Sequence, residues 1–153
     1  MTRKKTITSV TFLVVMIIVS GTLFFNRSWT KTDNDKNIAT IHIGAKKYNA
    51  EIVTSQEDQK KGLGQRKDMC QDCAMVFLFE KKDTYAFWMK DMLFAIDIIW
   101  VDGDKIVDYV QEIDPKDKRI FTPKEGADMA VELKAGSVRE EKFSIGQTVM
   151  LVK

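Results

Sequence analysis

The longest strongly apolar run outside the N-terminus, FWMKDMLFAIDIIWVD at residues 87–102, is interrupted by three charged side chains before it ends at Asp102: Lys90, Asp91 and Asp97. Lysine and aspartate are almost never fully buried in a folded domain unless they are paired. The run therefore belongs to the interior, and its charges must lie at a turn, at an exposed edge or in a polar site. We interpret it as two strands joined by a bend at Lys90 and Asp91, so that Asp97 is the charge that needs a partner.

A second apolar run, ITSVTFLVVMIIVSGTLFF, covers residues 7–25, contains no charge and no proline, and follows Arg3, Lys4 and Lys5. A helix of this length spans the hydrocarbon core of a bilayer, which is about 30 Å thick. The preceding basic cluster places the N-terminus in the cytoplasm. Because no Ala-x-Ala-like site follows the run, we favour an uncleaved signal anchor over a cleaved signal peptide.

The chain is therefore expected to be a single-pass protein of the cell membrane. Residues 1–6 form a cytoplasmic tail, 7–25 the transmembrane helix, 26–37 a polar linker and 38–153 one extracytoplasmic domain. The charges of the chain nearly cancel, leaving a net charge of +2. A nucleic-acid-binding protein would carry a larger basic excess, so we expect no nucleic-acid partner.

From residue 38 onward the apolar period is mostly two, which predicts strands. A hairpin turns at Gly44, and Ser55 precedes acids in a pattern typical of a helix start. Further strands are predicted at AMVFLF, TYAFWM, AIDIIWV, KIVDYVQEI, ADMAVELKAG and QTVMLV, with a turn at EKKD and a loop at 114–126. Many short strands and one or two short helices predict a mainly β domain, a small barrel or sandwich, rather than a parallel α/β sheet.

Cys70 and Cys73 form a single C-x-x-C pair, for which three interpretations stay open. A structural disulfide is favoured, because such a pair is oxidised outside the cytoplasm. Thiol redox chemistry is the second, although the motif precedes a strand rather than opening a helix. The third is a Cu(I) site, since soft ligands lie nearby, although methionine more commonly fills cores. The additional candidate ligands for copper are Met69, Met75, Met89, Met92 and His42.

The chain has a single histidine and lacks a G-x-S-x-G motif, a P-loop and a dinucleotide-binding fingerprint,. We therefore expect no catalytic residues, no metal and no cofactor. A polar set beside apolar runs instead predicts a small ligand-binding cleft, formed by Arg66, Trp88, Lys90, Asp97 and Glu132. Arg66 is the expected bidentate partner of Asp97. The alternative for Asp97 is a structural ion pair. We expect a non-catalytic binding or accessory module of the cell envelope, whose partner is a small ligand or an envelope protein; the alternative function is thiol redox chemistry or copper binding at Cys70 and Cys73.

Six segments occur in a characteristic order: GLGQR (62–66), AMVFLF (74–79), FWMKDML (87–93), AIDIIWVD (95–102), VELKAG (131–136) and IGQTVML (145–151). In this order and spacing they resemble the domain of unknown function 192 family over residues 38–153. The resemblance implies a small, mostly β domain that is often secreted or membrane-anchored. It implies no established activity.

Overall fold

The computed structural model of the chain describes residues 37–152. The predicted signal anchor at 7–25 and all but the last residue of the linker lie outside the described residues. Neither helix within 37–152 is long and apolar enough to cross a membrane. The strands are β1 (Asn37–Ile43), β2 (Lys46–Val53), β3 (Cys73–Asp83), β4 (Phe87–Trp88), β5 (Ile96–Asp102), β6 (Lys105–Ile113), β7 (Ile120–Phe121), β8 (Ala127–Lys134) and β9 (Val149–Val152), and the helices are α1 (Gln56–Lys61) and α2 (Ser137–Glu140).

Seven strands form one sheet in the order β6-β5-β8-β3-β2-β1-β9. The pair β2–β3, which is connected through α1, is parallel, and the other neighbours are antiparallel. The sheet curls until its edges approach each other. Lys105 forms a bridge with Thr148, and the Val149 amide donates to the Asp104 carbonyl at 2.9 Å. The domain is therefore mainly β, with the barrel-like curvature that the sequence predicts.

Both faces of the sheet are covered by apolar side chains, in two clusters. The first contains Ile41, Tyr48, Ile99, Val131, Val138 and Phe143, among others. The second contains Leu63, Phe77, Met89, Ile98, Trp100 and Phe121, among others. Central strands that are buried on both faces have continuous apolar sequences rather than alternating ones. This explains why β5 is buried from Ile96 through Val101, with Asp97 included.

Helix α1 begins and ends as its sequence predicts. The Ser55 hydroxyl accepts a hydrogen bond from the Asp58 amide at 3.1 Å, which satisfies one of the unpaired donors at the helix start,. Gly62 ends the helix at a φ of 49°, which a side chain would disfavour,. The chain then turns through Gly64, and the Gln65 amide donates to the Asp91 carbonyl at 2.8 Å. This bond ties the glycine-containing turn to the predicted bend at Lys90 and Asp91, both of which are exposed.

Two strand boundaries differ from the predictions. The segment EKKD, predicted as a turn, continues β3 as far as Asp83, because its four side chains are exposed beyond the core and a register shift restores pairing with Ala127. The strand predicted at TYAFWM is reduced to the two residues of β4. Its partner is β7, which lies inside the segment predicted as a loop and forms a second, two-stranded sheet with it.

Candidate ligand-binding cleft

Asp97, expected to line the cleft beside Arg66, is instead enclosed within the domain. Its side chain has no exposed surface. Its carboxylate accepts hydrogen bonds from the backbone amides of Glu112 at 2.7 Å, Gly136 at 3.2 Å and Val138 at 2.8 Å. The predicted pair with Arg66 is therefore wrong. Asp97 has no surface to offer to a ligand, so its place in the predicted cleft is corrected as well.

The three donors to Asp97 come from irregular parts of the backbone. Gly136 and Val138 lie at the start of α2, where amides have no partner within the helix,. Glu112 has a φ of 51° and lies near a register shift between β5 and β6. Such amides need an acceptor when they are buried, and the carboxylate of Asp97 supplies it. Asp97 thus fixes α2 and the end of β6 onto β5.

Arg66 pairs with Glu51 on β2. Its guanidinium donates to both carboxylate oxygens, at 2.8 and 2.9 Å. Met75 on β3 lies directly opposite Glu51 on β2 and directly opposite Glu132 on β8, so the three residues form one row across the sheet. Residues in such a row share one face of the sheet. Arg66 also lines a groove of about 300 Å³ that includes the disulfide, and it does not line the cleft that contains Trp88, Lys90 and Glu132.

The cleft that contains Glu132 has a volume of about 210 Å³ and lies between the end of α1, β3, β4 and the floor provided by β8. Aromatic side chains dominate its walls: Phe77, Phe79, Tyr85, Phe87 and Trp88. Phe79 and Tyr85 stack with their ring centroids 3.6 Å apart, and Phe87 packs edge-on against Phe77 at 5.1 Å. Such contacts hold large side chains in defined positions. Four of the five aromatic side chains, all but Trp88, are therefore held by contact with another ring.

Glu132 lies at the floor of this cleft. The residue is 6% exposed, and no described group forms a hydrogen bond with its Oε2 atom. Burial raises the pKa of its carboxyl group to about 8, and the nearby positive charge of Arg66 partly opposes this rise. Burial disfavours the charged form, so at neutral pH the carboxyl group is mostly protonated. A protonated carboxyl can both donate and accept a hydrogen bond.

The mouth of the cleft is basic. Lys60, Lys61 and Lys90 line it, and within residues 37–152 none of the three forms an ion pair. An adjoining groove of about 420 Å³ shares these lysines and Trp88, and extends the cleft toward Asp91. Trp88 is 51% exposed where the two meet. Together they form an aromatic cavity with a cationic rim.

Of the five predicted cleft residues, the structure thus brings three together: Trp88, Lys90 and Glu132. The prediction missed the aromatic pair Phe79 and Tyr85 and the two lysines of α1. The position of the two lysines could have been predicted from the sequence, because they directly precede the glycine-containing turn from which Arg66 was selected. That of the aromatic pair could not, since its stacking depends on how β3 is extended beyond the core.

The cysteine pair lies beside this cleft, in the groove of Arg66. Cys70 and Cys73 form a disulfide with their Cα atoms 5.2 Å apart, at the start of β3. In the described part of the chain, no three His, Cys, Asp or Glu side chains are grouped as metal ligands would be. The methionines considered as copper ligands, Met69, Met75, Met89 and Met92, pack in the second apolar cluster. His42 lies on β1 opposite Met150 of β9.

Comparisons with known proteins agree with this architecture. A protein of unknown function from Novosphingobium aromaticivorans has a TM-score of 0.71 at 21% identity, over 74% of this chain and 84% of that one. A protein from Sinorhizobium meliloti, described as a candidate transcription regulator, has a TM-score of 0.70 at 22% identity, over 74% and 92%. At these identities the similarity establishes the fold alone.

No curated protein matches the chain. The model of one family, domain of unknown function 192 (DUF192, "Uncharacterized ACR"), matches residues 38–151, which is nearly the whole described domain. This agrees with the order of motifs from GLGQR to IGQTVML. The chain belongs to the DUF192 family.

Proposed function

We propose that the chain is a non-catalytic binding module of the cell envelope that holds a small ligand in the cleft above Glu132. The supporting observation is the buried Oε2 atom of Glu132, which has no described hydrogen-bond partner. Buried polar atoms in folded proteins are nearly always hydrogen-bonded, and an unsatisfied one costs about 1–3 kcal/mol. A ligand that bonds to this oxygen would recover that cost. The position of Glu132 at the end of an aromatic cleft supports this role.

The composition of the cleft favours binding over catalysis. Among its described lining residues, Glu132 is the only acid, and none is a serine, cysteine or histidine. Hydrolysis through paired carboxylates needs a second acid across the bond that is cleaved. Covalent catalysis needs a nucleophile beside a base. A single buried acid surrounded by aromatic rings instead matches a recognition site, in which a few polar groups orient a ligand within apolar walls.

The envelope location rests on the sequence. The apolar run at 7–25 with its preceding basic cluster supports a signal anchor that tethers the domain outside the cytoplasm,. A protease added to intact cells should then remove the domain from the anchor. Resistance in intact cells, with cleavage after lysis, would place the domain inside and contradict the proposal.

Binding can be tested before the ligand is known. We would screen the full-length chain, in micelles of a detergent without a sugar head group, against a diverse set of small molecules by NMR. Fragments should shift the backbone signals of Gly62, Phe87 and Glu132. Ala86 lines the cleft, so the Ala86→Trp variant places a large side chain in it and should abolish these shifts. Leu93→Trp is the matched control, because Leu93 is 59% exposed and lies outside the lining. Failure of every fragment to shift cleft signals would overturn the proposal.

Thiol redox chemistry is the second candidate function. It is supported by the exposed position of Cys70, which leaves the disulfide accessible to another thiol,. Its position at the start of a strand, rather than at a helix N-terminus, removes the usual means of lowering a thiol pKa,.

A further inference from the structure

The floor and walls of the cleft restrict the ligand to molecules with hydrogen-bonding hydroxyl or amide groups on a compact body. Glu132 offers a buried oxygen without a partner. Gln59 adds a second acceptor, because its side-chain nitrogen donates to the Leu78 carbonyl at 3.1 Å, which leaves the amide oxygen for other donors. Two acceptors among aromatic rings suit a hydroxylated ring, whose faces are apolar and whose edges are polar.

The mouth restricts the charge of the ligand. A buried acid by itself could also bind a ligand that carries an amine. A cationic ligand, however, would have to pass Lys60, Lys61 and Lys90, none of which is neutralised by an ion pair within 37–152. Clefts lined by one sign of charge attract the opposite charge and repel their own. The adjoining groove shares the three lysines and contains one acid, Asp91, so positive charge is in excess there and an anionic group has room outside the aromatic cavity.

From this arrangement we infer that the ligand is a small anionic sugar: a hydroxylated ring that bonds to Glu132 and Gln59, packs against the aromatic walls, and places a phosphate or carboxylate group among Lys60, Lys61 and Lys90. The inference rests on the proposed binding function and adds the chemical class of the ligand. The two anionic groups share the same recognition, and separate probes distinguish them.

The test is a fluorescence titration of the full-length chain in the same sugar-free detergent, which follows Trp88 at the cleft rim. The probes are glucuronate, glucose 6-phosphate, glucose, inorganic phosphate and benzoate. Glucuronate or glucose 6-phosphate should bind at least about tenfold more tightly than each of the other three, because only these two satisfy floor and rim together. Whichever of the two binds more tightly identifies the anionic group. Trp88→Phe should remove the signal and show that it comes from the cleft.

Variants separate the contributions of rim and floor. Lys60→Ala combined with Lys61→Ala should weaken the anionic sugars about tenfold and leave glucose unchanged. The matched control replaces Lys116 and Lys118, two exposed lysines outside the lining, and should change nothing. Glu132→Met keeps the volume but removes the acceptor, and should weaken every probe that carries hydroxyl groups.

Three outcomes would overturn the inference. The first is that glucose binds as tightly as the anionic sugars, the second is that benzoate does, and the third is that the double lysine variant loses no more affinity than its control. If none of the five probes binds while other fragments still shift the cleft signals, the ligand class is wrong and the binding function stands. If fragments and probes all fail, both are wrong.

Discussion

Asp97 and Glu132 are both buried carboxyl groups on neighbouring strands of one sheet, yet their surroundings are opposite. Leu133 lies directly across from Asp97, and Ile98 from Glu132, so the two acids are offset by one residue and point to opposite faces,. Asp97 accepts three backbone amides, whereas Oε2 of Glu132 has no described partner. Burial of an acid therefore does not reveal its role. The supply of hydrogen-bond donors around it does.

The difference follows from what each face packs against. Asp97 faces the start of α2 and an irregular end of β6, both of which present amides that lack partners in regular structure,. Glu132 lies beside the Gly62 backbone and the Phe77 ring, where an added Cβ at Gly62 would come within 3.7 Å of Oε2. Asp97 therefore stabilises the fold through backbone amides, whereas Glu132 faces the cleft.

The largest expected effect is that of Asp97→Asn. The amide group keeps one acceptor oxygen but turns a donor toward backbone amides that are themselves donors. At least one buried amide then loses its partner together with a charged hydrogen bond, and we expect a loss of about 3–4 kcal/mol in unfolding free energy. Denaturant unfolding of the full-length chain, followed by the fluorescence of buried Trp100, measures this loss.

The matched change at the other acid, Glu132→Gln, should not destabilise the domain at neutral pH. If the two amide substitutions cost the same, the contrast between a satisfied and an unsatisfied carboxyl group would be wrong. A small effect of Asp97→Asn would show that the three amides find other partners.

The second effect is the pH dependence of stability contributed by Glu132. Its pKa rises from 4.5 to about 8 on folding. The folded protein therefore holds this proton more tightly, and the associated stability is complete below 4.5 and is lost as the pH rises toward 8,. At 1.36 kcal/mol per pKa unit the shift sets an upper limit of roughly 5 kcal/mol. We expect about half of it, because a buried site relaxes around a charge.

Unfolding of wild type and Glu132→Gln across this pH range measures the effect. The stability of the variant relative to wild type should increase steadily between pH 4.5 and 8 and stay constant above,. A difference that does not vary with pH would mean that the carboxyl group is already ionised in the folded protein. Glu132 would then be as well satisfied as Asp97.

The sequence predicted the strands and the bend better than the partners of the charged residues. The bend at Lys90 and Asp91 and the start of α1 at Ser55 depend on local patterns, and the structure confirms both. The partner of Asp97 could not be predicted, because its donors at Gly136 and Val138 are backbone amides brought in by a distant turn. A backbone amide leaves no trace in side-chain composition.

The partner of Arg66 was missed for a related reason. Its bidentate contact with Glu51 depends on the parallel pairing of β2 with β3, and period-two patterns do not specify which strands are neighbours,. Glu132 was selected only because an acid stands inside VELKAG, an otherwise apolar segment. That signal identifies burial, and the aromatic walls that make the position a cleft come from other elements.

The third effect concerns the groove beside Glu132. Replacing Cys70 and Cys73 together by serine should cost about 1–2 kcal/mol, because the loop closed by the disulfide is very short,. If the disulfide has only a structural role, as the hydrogen bonds of Asp97 do, thiol trapping in cells should find the wild-type pair fully oxidised. A mixture of reduced and oxidised forms would instead show that the disulfide turns over, and would favour the redox function.

The smallest expected change in unfolding free energy is that of Arg66→Ala. The ion pair with Glu51 is partly exposed, so its loss should cost only about 1 kcal/mol,. Arg66 also holds the pKa of Glu132 below the value that burial alone would give. We would therefore compare Arg66→Ala with and without Glu132→Gln across the same pH range. Because the positive charge is gone, the pH at which the two stabilities stop diverging should be higher than for the pair that retains Arg66.

Arg119→Ala is the control, because Arg119 pairs with Asp117 at the surface and should leave that pH unchanged. The same substitution should not alter the cost of Asp97→Asn, since Asp97 lies on the other face and is stabilised by amides. Equal shifts for Arg66→Ala and Arg119→Ala would mean that the charge near Glu132 is screened, and that burial alone sets its pKa.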